Sequence, residues 1–133
     1  MKLSSADIAF SHCIRAAADN TCLRCKKQFE RTECSHVFGR RHRTIRWAKD
    51  NAKCLCHACH RWWHENPADS GRWFLLEVGK HFLDLLREKR DSRVKVPKSE
   101  EKEIAKHYRE QLKQIEDKRL DGQTGYVDFQ SYQ

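Results

Sequence analysis

Two Cys-x-x-Cys pairs, Cys22/Cys25 and Cys56/Cys59, are separated by thirty residues in a chain of 133. Each pair can present two sulfurs to one edge of a tetrahedral metal ion. Zn²⁺ accepts four thiolates readily, and its binding free energy becomes folding free energy. Buried unligated thiols would account for one such pair easily and for two poorly. The constraint is severe, because one ion then ties residue 22 to residue 59 whatever the intervening chain does. The chain needs that help: 38% of its residues are hydrophobic and 35% charged, which leaves little material for a large core at this length.

Cys13, Cys34 and Cys54 remain over and read as small buried apolar side chains. Cys34, two residues before His36, is also a candidate alternate ligand. The odd total of seven cysteines and an opening segment, MKLSSADIAF, without a long apolar run predict reduced thiols in a cytoplasmic protein and disfavour a secreted disulfide scaffold. No run approaches the apolar length that spans a bilayer, so no membrane segment is expected.

The formal net charge is +8, and the excess is concentrated. Between Gly39 and Arg61 stand Arg40, Arg41, Arg43, Arg46, Lys49, Lys53 and Arg61 against Asp50 alone. A solvated basic face is the plain reading of such a run. Here it interleaves with Trp47, Trp62 and Trp63 beside candidate metal ligands, a pattern that points to nucleic acid. An exposed indole among these could stack on an unpaired base.

Helical spacing is clear at both ends. Ser4 or Ser5 caps a helix carrying Phe10, Ile14 and Ala17, with Asn20 as its stop. Short extended pieces are expected near residues 28–29 and 32–37, then a basic loop opened by Gly39. A knuckle at Cys56 leads into a helix that Asn66-Pro67 ends or kinks. One further helical stretch covers residues 69–91 with Phe74, Leu75, Val78, Phe82, Leu85 and Leu86 on one side. Ser99 caps a last helix with Ile104, Tyr108, Leu112 and Ile115 in a narrow stripe, suited to packing on another helix. The final residues, 121–133, are expected to be loose or held by a partner.

His60 and His64 stand at i and i+4, so a helix points both imidazoles to one side, where they can grip one cation; two plain surface histidines are the alternative. Reading back, His36, fourteen residues, Asn51, eight residues, His60, three residues and His64 follow one another. This spacing resembles that of the HNH, or ββα-metal, nucleases, and matches the DNase colicins gap for gap. The stretches FSHCIRAAADNTCLRC, ECSHVFGRRHRTIRW, DNAKCLCHACHRWWHENP and IAKHYREQLKQIE together resemble the NinG/Rap recombination nucleases of lambdoid phages, over roughly residues 5–116.

The resemblance implies an α+β chain: a small ββα-metal core with its structural zinc and N-terminal helix over residues 1–68, a helical extension over 69–120 that serves dimerisation or DNA contact, and a flexible tail over 121–133. It implies a phage-encoded endonuclease that hydrolyses phosphodiester bonds in branched recombination intermediates such as Holliday junctions, D-loops and Y structures. His36 would be the general base, Asn51 the residue that pins its loop, and His60 and His64 the ligands of a catalytic Mg²⁺ or Mn²⁺, or of Zn²⁺. Arg40, Arg41, Arg43, Arg46 and Arg61 would hold DNA, the guanidinium fork being matched to phosphate. A homodimer would supply two sites for a four-way junction, with the C-terminal apolar stripe as its interface. One departure stands out: Ser35 occupies the position where the family has a metal-binding Asp or His. The alternatives are a zinc-stabilised DNA-binding protein whose site has decayed, or an HNH nuclease acting on linear duplex.

Overall fold

The computed structural model describes residues 2–133. Its elements, in order, are α1 (Ser5–Ala17), β1 (Glu33–His36), β2 (Ala52–Leu55), α2 (His57–Glu65), α3 (Pro67–Val78), α4 (Lys80–Arg90) and α5 (Glu101–Leu120). The class is α+β, as the sequence predicts. No helix among the described residues is long and apolar enough to cross a membrane.

α1 begins where Ser4 and Asp7 form a reciprocal cap: the Ser4 Oγ accepts from the Asp7 amide at 3.2 Å, and the Asp7 carboxylate accepts from the Ser4 amide at 2.8 Å. It ends as Asp19 and Asn20 both turn to φ 52°, a left-handed conformation that short polar side chains tolerate. Its apolar stripe, Ala6, Ala9, Phe10, Cys13 and Ala17, packs on Ile104, Ala105, Tyr108 and Ile115 of α5. Each large side chain buried there contributes about 1.5–3 kcal/mol of transfer free energy.

Two corrections follow from this packing. The α5 stripe is covered by α1 inside the chain and does not offer a dimer interface, and α5 belongs to the main core instead of to an extension. The last residues are not loose. Val127 and Phe129 are buried in the same core, the Val127 amide donates to the Ala17 carbonyl at 2.9 Å, and the Gln133 side chain accepts from the Trp47 amide at 2.8 Å. An aperiodic segment that docks through scattered apolar and backbone contacts has no helical or strand signature to read.

β1 and β2 form a two-stranded antiparallel sheet with His36 opposite Ala52, Ser35 opposite Lys53 and Cys34 opposite Cys54. In the sequence the residues of β2 read only as the approach to a knuckle. Four residues paired with an equally short partner are too few to show alternation. Side chains alternate across a strand, so Cys34 and His36 share the face on which α1 lies, and Ser35 turns toward α2 and α3. The stretch 69–91 is two helices, because Gly79 at φ 86°, ψ 159° breaks it. Consequently Leu75 and Leu85 are exposed although Phe74 and Leu86 are buried. α5 starts at Glu101 after a 3-10 turn, with no side-chain cap from Ser99.

Candidate functional site

The four paired cysteines come together. Their sulfurs all lie within 4.8 Å of one another, with Cys25 Sγ and Cys56 Sγ 4.0 Å apart. Tetrahedral Zn–S bonds of about 2.3 Å require sulfurs roughly 3.8 Å apart, so the cluster can hold a zinc ion with little movement. The first knuckle closes through the Lys26 amide on the Cys22 carbonyl at 2.9 Å, with Lys26 at φ 65°. The Leu23 amide donates to the Cys54 carbonyl at 2.9 Å and joins this knuckle to β2. Cys56 caps α2, its sulfur accepting from the Cys59 amide at 3.4 Å. Burial works against ionising Cys22, yet backbone amides from Cys25, Cys56 and Arg24 bring its thiol down to about 7. Arg24 is the cation of the cluster: one guanidinium nitrogen is 3.5 Å from Cys59 Sγ, and the group stacks 3.6 Å over the Trp62 ring. With zinc bound it would offset the negative charge that four thiolates leave on a divalent ion.

A second assembly lies along the edge of β1. There a cleft of about 900 Å³ runs between α1 and α2, and His36, Arg40, Arg41, His60 and His64 line it. His36 is half-buried, with Nε2 at 3.0 Å from the Arg46 carbonyl. A carbonyl only accepts, so Nε2 carries the proton and Nδ1 keeps its lone pair. Burial, aided by nearby Arg40, lowers the His36 pKa below its ordinary value and keeps the ring neutral. The loop that delivers the Arg46 carbonyl is fixed by Asn51, which is fully buried. Its Oδ1 accepts from the Phe38 amide at 2.8 Å, and its Nδ2 donates to the carbonyls of Phe38 and Ile45 at 2.9 and 3.1 Å.

His60 and His64 bring their Nε2 atoms to 3.1 Å from each other on one side of α2. Sequence reasoning missed the residue that sets this pair. Glu33, at the start of β1, accepts from Nδ1 of His60 at 2.8 Å and from Nδ1 of His57 at 2.9 Å. Burial pushes the Glu33 carboxyl up, and the two imidazoles more than reverse that, leaving it below the usual range. Only its place three residues before His36 could have drawn notice.

The remaining candidates separate. Ser35 is buried and shares a small apolar space with Trp63, Trp73 and Phe74, facing away from the cleft. Cys34 does line the cleft, but burial pushes its thiol up to about 12, with Arg15 the strongest opposing pull, so it stays protonated. Arg40 is half-buried and Arg41 exposed, both on the cleft. Arg43 and Arg46 are spent on the fold, contrary to the phosphate-clamp expectation. Arg46 is buried with both forks on Asp7 at 2.5 and 2.9 Å, and Arg43 pairs with Glu101 at 2.8 Å and the Val96 carbonyl at 3.0 Å. Arg61 is exposed and pairs along α2 with Glu65 at 3.2 Å.

Fold and site together define an α+β protein with a four-cysteine cluster able to hold a structural metal such as zinc. Comparison with protein-family models, with curated proteins and with solved structures finds no match.

Proposed function

We propose that this protein is an endonuclease of the ββα-metal (HNH) class, with a structural Zn²⁺ on Cys22, Cys25, Cys56 and Cys59, acting on branched or partly single-stranded DNA. The observation that carries the reading is the cleft that gathers a neutral, loop-anchored imidazole, His36, with the imidazole pair of His60 and His64. Phosphodiester hydrolysis needs a proton acceptor for water and neutralisation of the charge that builds on phosphorus.

His36 supplies the first: its Nδ1 lone pair takes the proton, and the Arg46 carbonyl holds the ring while Asn51 holds the loop. His60 and His64 fit a divalent ion. Their Nε2 atoms converge, and the Glu33 carboxylate on Nδ1 of His60 fixes the tautomer that leaves Nε2 open, a bond commonly found behind metal-bound imidazoles. Mg²⁺, Mn²⁺ or Zn²⁺ held there would supply Lewis-acid stabilisation of the phosphate. Arg40 and Arg41 bind the flanking phosphates, and a homodimer would bring two such clefts to a four-way junction.

A second reading is a DNA-binding module without catalysis. It is favoured by Ser35, which faces away from the cleft and leaves two protein donors for the catalytic ion. Purified protein incubated with three-way, four-way, D-loop and linear DNA in Mg²⁺, Mn²⁺ and Zn²⁺ distinguishes them. We expect nicking near branch points, and a His36→Ala variant that binds the same DNA without cutting it. Absence of cleavage under every ion would leave only the binding module, and preference for linear duplex would replace the branched substrate.

A further inference from the structure

One wall of the cleft is made by α1, a helix outside the strand–strand–helix unit that carries the histidines. The apolar stripe of α1 is buried against α5, which leaves its opposite side without a partner. On that side Ile8, Ser11 and Arg15 recur at steps of three and four, so one face of the helix carries all three along the cleft. Leu3, just before the cap, extends the same wall. Leu3 is 56% exposed and Ile8 47%, two aliphatic side chains presented to solvent at the mouth of a strongly cationic groove.

The charge balance of the cleft is one-sided. Its two carboxylates are already engaged: Asp7 accepts from Arg46 and Trp47, and Glu33 from His57 and His60. Three guanidinium groups face it without a carboxylate partner among the described residues: Arg15, Arg40 and Arg41. Arg15 is held in place by its Nε, which donates to the Ser11 carbonyl at 3.2 Å, and both terminal nitrogens remain for a ligand. A fixed guanidinium with two open donors matches a phosphate.

Cations on both sides, with aliphatic side chains at the rim, suit a polyanion that also shows unpaired base faces. A paired duplex hides those faces, whereas a single strand offers them. We infer that α1 is the second wall of the substrate groove, where Arg15 binds a backbone phosphate across from Arg40 and Arg41 while Leu3 and Ile8 pack on an unpaired base, so that the strand enters single-stranded. This rests on the nuclease reading for the identity of the substrate, but not on catalysis.

The test uses the full chain with His36→Ala, so that no DNA is consumed. Binding of a fluorescent twelve-nucleotide strand, its blunt duplex and a forked duplex is measured by anisotropy over a range of salt. Arg15→Ala should weaken the single strand and the fork roughly tenfold and reduce the salt slope by about 0.7, the value for one phosphate contact on a single strand. Arg15→Lys should restore the slope but only part of the affinity. Ile8→Ser should weaken the single strand and leave the duplex unchanged. Both positions lie on the solvent side of α1, and a circular dichroism spectrum confirms that each variant folds. An unchanged affinity and slope in Arg15→Ala overturns the inference, as does equal loss on strand and duplex. Wild-type protein that cuts DNA while Arg15→Ala binds normally removes this inference alone. Wild type that never cuts, with Arg15→Ala still impaired in binding, removes the nuclease reading and leaves the groove.

Discussion

Asp7 shows how far a single residue can depart from its local reading. In the sequence it is a first-turn acid on α1. In the fold its carboxylate takes five hydrogen bonds, from the Ser4 amide and hydroxyl, two Arg46 nitrogens and the Trp47 indole. Removing it strands a buried guanidinium, so Asp7→Ala should cost about 3–5 kcal/mol in urea unfolding. Burial raises the Asp7 pKa, but the bonds from Arg46 and Ser4 outweigh it and hold it below 3.8. A lowered folded pKa means stability that is full above the unfolded value and drains away as pH falls through the folded one. The stability of the wild type should therefore fall on acidification below about pH 4 more steeply than that of Asp7→Asn. His36 has the same sign for a different readout. Burial lowers its pKa below the ordinary imidazole value, so in the proposed nuclease the rate of nicking should climb as His36 loses its proton and be level by neutral pH, a profile that kcat/KM against pH checks. The residues of the site were legible where their spacing is local, as for His60 and His64. Arg46 was misread because its partner lies 39 positions away, while the acid nearest it in sequence, Asp50, does not pair with it.

Among elements, legibility followed periodicity. α1, α2 and α5 have stripes or caps that the sequence displays, and α1 and α2 end close to where Asn20 and Asn66-Pro67 place them. β2 and the docked tail lack a repeat, and only tertiary packing defines them, while the break at Gly79 rests on the positive φ of one residue. The tail makes the strongest test. Phe129 lies 5% exposed against Tyr108, with ring centroids 6.1 Å apart, and the Tyr108 hydroxyl donates to the Trp47 carbonyl while accepting from the Tyr132 amide at 2.9 Å. The segment thus braces α5 and the loop behind His36 together. Phe129→Ala should lower stability by about 3–5 kcal/mol, read from the urea midpoint at unchanged slope. Ser131→Ala, which removes one acceptor from the Lys49 amide at 2.9 Å, should cost about 1 kcal/mol.

At the scale of the molecule the buried side chains fall into separate clusters, and this division decides what a metal on the four cysteines would hold. The largest joins α1, α5 and the tail; a second gathers Cys22, Leu55, Cys56 and Cys59 with Trp63 and Trp73. β2 belongs to both, through Ala52 and Cys54 on one side and Leu55 on the other. The sequence foretold the sulfur cluster from spacing alone, but not that α2, which carries His60 and His64, leans on it while α1 and α5 do not. α2 has a single buried residue, Cys59, itself one of the four cysteines, and α3 reaches it through Trp73 and Phe74 on Trp63, whereas α4 also packs Leu86 and Phe82 on Ile45 and Ala48 in a third cluster that contains no cysteine. Removing the ion should therefore unlatch α2 and α3 before the main core gives way. The expected outcome is one zinc per chain by metal analysis. After chelation, amide exchange should accelerate across residues 57–78 while α1 and α5 stay protected, and the proposed nicking should be lost with the geometry of His60 and His64. If exchange instead rises evenly from α1 to α5, the two clusters unfold as one, and the zinc secures the whole chain and not only the wall that bears the imidazoles.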